Sequence, residues 1–300
     1  MTTFLVTGPT GNVGRRFVPR LAQWAGRGAV RVLVRQEAQA EAATALGLQA
    51  VVGDLRDQAA RARALEGADV VVHVAAGRRG APDAEAFEVN RDATLALGRE
   101  AAEAGVRRFV HTSTNLVYPR RLGRPAVEDD PLDPSPLWGA YGASKAAGER
   151  GLRELGDRLP LVVVRPVFVY GDGDPHLADS LFWAGRWPSH QRLAVVHHAD
   201  VARALWAAAV TPGVEGRAYN VADDAPVTAW DLHGINEVPR PEAWDTAPGE
   251  VPDADAVVTP EGVGPADPWE GQVSTAAIRR ELGWRPLYPS VWTARDAGAL

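Results

Sequence analysis

The sequence predicts a doubly wound α/β fold: a parallel sheet with helices on both faces, carrying a smaller, discontinuous lobe built from the later part of the chain. Three observations predict it. Short β-rich apolar runs alternate with longer Ala- and Arg-rich segments through the first two-thirds of the chain. Such alternation builds βαβ units, which force parallel pairing with right-handed crossovers. A glycine-rich turn stands where the first strand meets the first helix. After Tyr170 the character changes, and eight of the ten tryptophans fall between Trp183 and Trp292.

Taken in order, strands are expected over residues 4–7, 31–34, 49–52, 70–73, 108–111 and 161–165, because these runs are rich in Val, Leu and Phe. Helices are expected over 14–25, 59–64, 93–104 and 144–155. Residues 236–272 hold seven prolines, nine acidic residues and a single Arg, Arg240. Proline blocks helix interiors and central strands, so this stretch is expected to be an irregular surface excursion. A helix returns over 276–282. The expected division is a dinucleotide-binding domain over 1–171 and 195–222, with the small substrate lobe over 172–194 and 223–300.

Composition narrows the function. The chain has 300 residues, 46% apolar and 23% charged, with a net charge of −6. A mildly acidic chain without a basic block is a poor partner for nucleic acid or an anionic membrane. There is no cysteine, which excludes disulfides, thiolate catalysis and Cys-ligated metals. The first residues do not read as a signal peptide. The longest apolar runs are strand-length, far short of the roughly 18–20 residues of a membrane span. The expectation is a soluble cytoplasmic protein with a small-molecule substrate. One count stands out: of 32 basic residues, 31 are Arg and one is Lys, Lys145.

The turn Thr7-Gly8-Pro9-Thr10-Gly11-Asn12-Val13-Gly14 places glycines three apart at the strand–helix junction. Without a Cβ the backbone turns tightly and approaches a pyrophosphate closely. Backbone N–H groups and the positive end of the helix dipole then face the phosphates. Dinucleotide binding at Gly8, Thr10, Gly11, Asn12, Val13 and Gly14 follows. An acidic residue at the end of the second strand suits the ribose 2′-OH of NAD, whereas Arg accommodates the 2′-phosphate of NADP. Here that strand ends in Arg35, which favours NADP. Arg15 and Arg16 are further candidates, and Glu37 remains able to reach the ribose of NAD.

Tyr141 and Lys145 are four residues apart, so on a helix they share one face. A nearby ammonium favours the phenolate of a tyrosine and brings it into the range of acid–base chemistry. A compact ammonium that also bonds sugar hydroxyls is not replaced equivalently by a planar guanidinium. That is a physical reason for one Lys in a chain that otherwise uses Arg. His197 and His198 are adjacent, so a strand would point them to opposite sides, and with no completing cluster no metal is expected. Asp200 reads as the N-cap of a following helix.

On these residues the chain resembles the extended short-chain dehydrogenase/reductase family of NAD(P)-dependent epimerases, dehydratases and reductases. The resemblance covers residues 1 to about 235, with an echo at the C-terminus. Thr7–Gly14 resembles the family's T-G-x-x-G-x-x-G turn. Asp54-Leu55 resembles a D-L pair at the adenine. His73-Val74-Ala75-Ala76 resembles the H-x-A-A beside the cofactor ribose, and Asn90 the Asn opening the next helix. Thr112-Ser113-Thr114-Asn115-Leu116-Val117-Tyr118 resembles S-S/T-x-x-V-Y. Arg165-Pro166-Val167-Phe168-Val169-Tyr170-Gly171 resembles R-P-x-x-V-Y-G. The segments 197–202, 218–222 and 281–286 resemble the family's H-V-D-D-V-A, V-Y-N-V-G and L-G-W-x-P.

The resemblance implies a Rossmann-like fold. It implies that Tyr141 transfers the proton, that Lys145 binds the nicotinamide ribose, and that Thr114 hydrogen-bonds the reacting oxygen, with Ser113 as the fallback. Further cofactor contacts are implied at Asp54, Leu55, Val74, Ala75, Ala76, Thr112, Tyr141, Pro166 and Val167. A homodimer through the helices at 93–104 and 144–155 is implied as well. In nucleotide-sugar members the stretch between the Y-G and H-V-D-D motifs is long and basic. Here residues 172–196 are short and Trp-rich, offering Arg186, Arg192 and Trp183 as substrate contacts. The expected function is oxidation, reduction or epimerisation of a secondary alcohol or ketone on a sugar-like or small carbonyl substrate. The alternative is a non-catalytic NADP-sensing or scaffold protein on the same fold.

Overall fold

The computed structural model describes residues 2–77, 80–244, 256–259, 262–265 and 269–300. Strands β1 (Phe4–Thr7), β2 (Val30–Val34), β3 (Gln49–Val52), β4 (Val70–His73), β5 (Arg108–Thr112) and β6 (Leu161–Pro166) join Ala218–Val221 in one seven-stranded sheet. Its spatial order is Ala218–Val221, β6, β5, β4, β1, β2, β3, and every pairing is parallel. The order reverses beside β1. Ligands bind at such a switch point, outside the carboxyl ends of the strands. The Rossmann-like doubly wound fold is therefore the observed one.

Side chains alternate along each strand, and both faces are covered. Val6, Val32, Val72, Val110 and Val164 pack under helix α1 (Gly14–Ala25) and helix His198–Val210, against Phe17, Leu21 and Leu205. Leu5, Leu33, Val71, Phe109 and Val163 pack on the other face with Leu65, Leu97 and Leu152, from helices α3 (Gln58–Leu65), α5 (Thr94–Glu103) and α6 (Gly139–Arg153). Burial on both faces explains why these strands read as continuous apolar runs rather than as alternating ones. A separate cluster gathers Tyr170, Leu177, Ala184, Val195, Leu232 and Val291.

The helix expected over 93–104 begins earlier, with helix α4 (Asp83–Phe87) leading through a π-helical stretch Glu88–Ala93 into α5. A Cβ on Gly148 of α6 would stand 2.1 Å from the carbonyl oxygen of Asn90. The widened turn and that glycine together bring α6 close against the chain after β4. Helix α2 (Glu37–Ala45) was not expected: it lacks an apolar stripe but opens with a Gln36–Gln39 capping box.

Two expectations are corrected. The stretch 236–272 is not wholly irregular, because Ala256–Thr259 and Gly262–Pro265 pair antiparallel. The rest of that expectation at 245–255, 260–261 and 266–268 lies outside the described residues. Asp200 is not an N-cap. His197 caps the helix, its Nδ1 accepting from the Ala199 N–H at 3.1 Å. Asp200 lies inside the first turn, fully buried, and accepts from the backbone N–H of Leu287 at 2.5 Å and of Tyr288 at 3.0 Å. It is an anchor for the C-terminal segment. Among the described residues no helix is long and apolar enough to cross a membrane.

Candidate active site

The carboxyl ends of β1, β2, β4, β5 and β6 open into one cleft of about 1090 Å³. Its floor is the glycine turn. Gly8 has φ of +68°, and a Cβ there would stand 2.6 Å from the Ala75 backbone. A Cβ on Gly14 would stand 2.0 Å from the Gly8 carbonyl oxygen. Only glycine permits this tight turn against the end of β4. Thr7 closes it from below: its Oγ1 lies 2.7 Å from Nδ1 of His73, whose Nε2 lies 2.9 Å from Thr94 Oγ1. Burial, helped by Lys145, pushes the His73 imidazole down to about 3, so it is a neutral strut between two hydroxyls.

At the β2–β3 end the cleft is lined by Arg35, Asp54 and Leu55. Arg35 is exposed. The Asp54 carboxylate is gripped by Arg56 through two contacts of 2.9 Å, and that hydrogen-bonded pairing holds it down at about 2. Arg16 is removed from the phosphate candidates. Its guanidinium is buried and donates to the Asp172 carbonyl at 2.9 and 3.1 Å and to the Asn12 carbonyl at 3.1 Å. Arg15 is exposed but does not line the cleft.

At the β5 end stand Thr112, Ser113, Thr114, Tyr141 and Lys145. Lys145 is 1% exposed, and its Nζ donates to the Thr112 carbonyl oxygen at 2.6 Å. Burial lowers the ammonium to about 8, opposed by the charge of Glu149, so it keeps its proton at neutral pH. Thr114 is buried, and its Oγ1 accepts from the Leu116 N–H at 3.3 Å. That bond occupies one of the oxygen's two lone pairs and leaves the hydroxyl hydrogen to donate elsewhere. Tyr141 is half-buried in the first turn of α6. A relay fixes that turn: Gly77 N–H donates to Asn90 Oδ1 at 2.7 Å, Asn90 Nδ2 to Ser144 Oγ at 3.0 Å, and Ser144 Oγ to the Tyr141 carbonyl at 3.1 Å.

Below Lys145 lies a buried ionic network. Glu149 pairs with Arg165, which also donates to the Tyr118 hydroxyl and, at 2.9 Å, to the Glu128 carbonyl. Tyr118 in turn donates to Asn220 Oδ1 at 2.8 Å. Burial pushes the Tyr118 phenol up to about 12. These residues therefore brace β6, α6 and the strand Ala218–Val221, and Tyr118 stays protonated.

All the site candidates line this cleft except Arg15, Arg16, Glu37 and Arg186. Arg186 instead lies 5.0 Å over the ring of Phe182, itself exposed. Arg192 and Trp183 do line it, with Trp187, Phe168 and Gln191. Residues that the sequence did not single out also line it: Glu85, Trp138, Glu270 and Gly271. The last two arrive because Asn115 Nδ2 donates to the Gly271 carbonyl at 3.0 Å and Arg120 pairs with Glu270 at 2.8 Å. His197 and His198 go separate ways, to the Ala299 carbonyl and to Asp174, each at 2.7 Å.

Comparison with known proteins agrees with this geometry. Residues 4–222 match the NAD dependent epimerase/dehydratase family. A 4-hydroxy-2-methyl-3-oxo-4-farnesyl-3,4-dihydroquinoline-1-oxide ketoreductase of Stigmatella aurantiaca is 35% identical over 76% of this chain and 70% of its own. A ceramide reductase of Caulobacter vibrioides is 34% identical, over 69% of this chain but only 61% of its own. A UDP-glucose 4-epimerase of Vibrio cholerae is 32% identical over 57% of this chain and 53% of its own. Among solved structures, a dTDP-glucose 4,6-dehydratase of Streptomyces venezuelae with NAD bound superposes with a TM-score of 0.72 at 26% identity, covering 98% of this chain and 97% of that one. The chain belongs to the NAD dependent epimerase/dehydratase family.

Proposed function

We propose that this protein is an NAD(P)-dependent oxidoreductase or epimerase acting on a secondary alcohol or ketone of a sugar-like or small carbonyl substrate. The observation that carries the proposal is that Thr114, Tyr141 and Lys145 line the same cleft as the glycine turn. A sensor has no chemical need of all three. The glycine cradle, which a Cβ at Gly8 or Gly14 would fill, fits a dinucleotide pyrophosphate. Val74, Ala75, Ala76, Thr112, Pro166 and Val167 would hold its nicotinamide half. Arg35, exposed at the end of β2, favours the 2′-phosphate of NADP.

The dinucleotide, when bound, supplies the hydride donor or acceptor. The protein handles the proton. Tyr141 gives a proton to the substrate oxygen in reduction, or takes it in oxidation. The Lys145 ammonium, fixed by Thr112, favours the phenolate by its charge and offers its remaining donors to ribose hydroxyls. The Thr114 hydroxyl donates to the substrate oxygen as negative charge develops there. We take 1–171 with 195–222 as the cofactor-binding part and 172–194 with 223–300 as the substrate lobe; the clustering of Leu177, Ala184, Leu232 and Val291 supports the lobe. Relatives named as ketoreductase, ceramide reductase and UDP-glucose 4-epimerase are compatible with either a reductive or an epimerising outcome. The test is thermal-shift titration with NAD and NADP, followed by a screen of ketones, alcohols and nucleotide sugars for change in reduced-nicotinamide absorbance or for epimerised product. Cofactor binding with turnover of one class is expected. Cofactor binding with no conversion of any class would favour the sensor.

A further inference from the structure

Directly after Pro166 and Val167 the cleft wall becomes aromatic. The rings of Trp183 and Trp187 lie 4.5 Å apart, and Phe168 meets Trp183 edge-on at 5.9 Å and stacks on His176 at 4.6 Å. All four residues line the cleft, and both tryptophans are half-buried, so ring surface stays available to a ligand. Trp187 is held from behind, its carbonyl accepting from Trp244 Nε1 at 3.0 Å.

Charge decides what fits against this wall. A nucleoside diphosphate brings two phosphates and is held by paired, often bidentate, cations. Among the described residues lining the cleft, the arginines are Arg35, Arg56 and Arg192. Arg35 and Arg56 stand at the β2–β3 end, where Arg56 is committed to Asp54 and Glu88. Among the described residues, Arg192 is therefore the one arginine of the 172–196 segment that lines the cleft with the tryptophans, since Arg186 is turned onto Phe182. Of the carboxylates lining the same cleft, Asp174 is paired with Arg16 and His198 and Glu270 with Arg120, while Glu85 is exposed and adds negative charge.

We propose that the substrate of this site is a neutral ketone bearing a flat aromatic group, which stacks on Trp183 and Trp187, rather than a nucleoside-diphosphate sugar. The proposal rests on the oxidoreductase reading above. In the reductive direction the carbonyl carbon accepts a hydride and the carbonyl oxygen a proton from Tyr141. The ketone becomes a secondary alcohol, and the reduced nicotinamide cofactor is oxidised. Trp183 and Trp187 are specificity-determining residues that take no part in the proton transfer.

The test uses the full chain with NADPH or NADH and two kinds of probe: 2-acetylnaphthalene, and UDP-glucose with dTDP-glucose. Expected are loss of reduced-nicotinamide absorbance with the naphthyl ketone and no conversion of either nucleotide sugar. Trp183→Ala is expected to raise the ketone KM about tenfold or more, with kcat changed by less than about twofold, because stacking is lost while the proton-transfer group stays. Trp183→Phe and Trp187→Phe are expected to keep most of the affinity and guard against loss of folding. Conversion of a nucleotide sugar with the naphthyl ketone untouched would overturn the substrate class and leave the oxidoreductase reading standing. An unchanged ketone KM in folded Trp183→Ala would also overturn it. No conversion of any carbonyl, alcohol or nucleotide sugar by cofactor-loaded protein would sink the oxidoreductase reading and the substrate class together.

Discussion

The Lys145 ammonium is bonded at 2.6 Å to the carbonyl oxygen of Thr112, the last residue of β5. One contact thus ties helix α6 to the strand end from which Ser113 and Thr114 extend into the cleft. It also explains the one position where this Arg-rich chain keeps a lysine. The site is buried, and a guanidinium has neither the compactness nor the freely rotating donors of an ammonium. Lys145→Arg preserves the charge, yet kcat is expected to fall nearly as far as in Lys145→Ala. Steady-state kinetics of the two variants check this, and a fully active Arg variant would return the lone lysine to coding bias.

Burial of Lys145 has a thermodynamic signature. The unfolded chain holds this proton to about 10.5 and the folded chain only to about 8. Between those values the unfolded state binds more protons, so stability rises with pH through that window. Below it the folded state carries the whole desolvation cost, on the order of 3 kcal/mol. Lys145→Met is expected to flatten the rise between pH 8 and 10.5 in urea-unfolding free energies. Parallel wild-type and variant profiles would contradict the buried-ammonium account.

Asp200 makes a second checkable link. Its carboxylate spans 87 residues to reach the N–H of Leu287. Asp200→Ala is expected to cost about 1–3 kcal/mol by leaving backbone donors without their acceptor. Amide exchange at Leu287 and Tyr288 should accelerate more than in the sheet. Unchanged exchange at both would show that the C-terminal segment is held by other contacts.

The cofactor preference turns on Arg35. Arg35→Glu is expected to weaken NADP binding about tenfold or more, through loss of attraction and added repulsion at the 2′-phosphate, while NAD changes by less than about threefold. Titration calorimetry with both dinucleotides reads the difference. Equal weakening would remove Arg35 from phosphate recognition.

Much of this was legible in the residues. The six strands expected in the first two-thirds of the chain form the sheet, because a parallel sheet buried on both faces demands continuous apolar runs, as in Val70–His73. The glycine turn and the Tyr141–Lys145 spacing led to one cleft because both depend on local geometry. What stayed hidden depends on distant contacts. Asp200 has the composition of a cap, but the His197 side chain takes that role and the partners of Asp200 lie at 287 and 288. Glu270 and Gly271 reach the cleft only through Asn115 and Arg120. Other misses had local signals: Thr228 and Asp231 form a capping box ahead of helix Ala229–Ile235, as Ser290 and Thr293 do ahead of Val291–Asp296.

The central claim is that Tyr141 moves the proton, and Tyr141→Phe tests it most directly. The ring and its place in α6 are kept while the hydroxyl is removed. With a converted substrate in hand, kcat is expected to fall about 100-fold or more. Cofactor affinity and melting temperature should stay near wild type. A folded, cofactor-binding Tyr141→Phe variant that retains wild-type kcat would contradict the account.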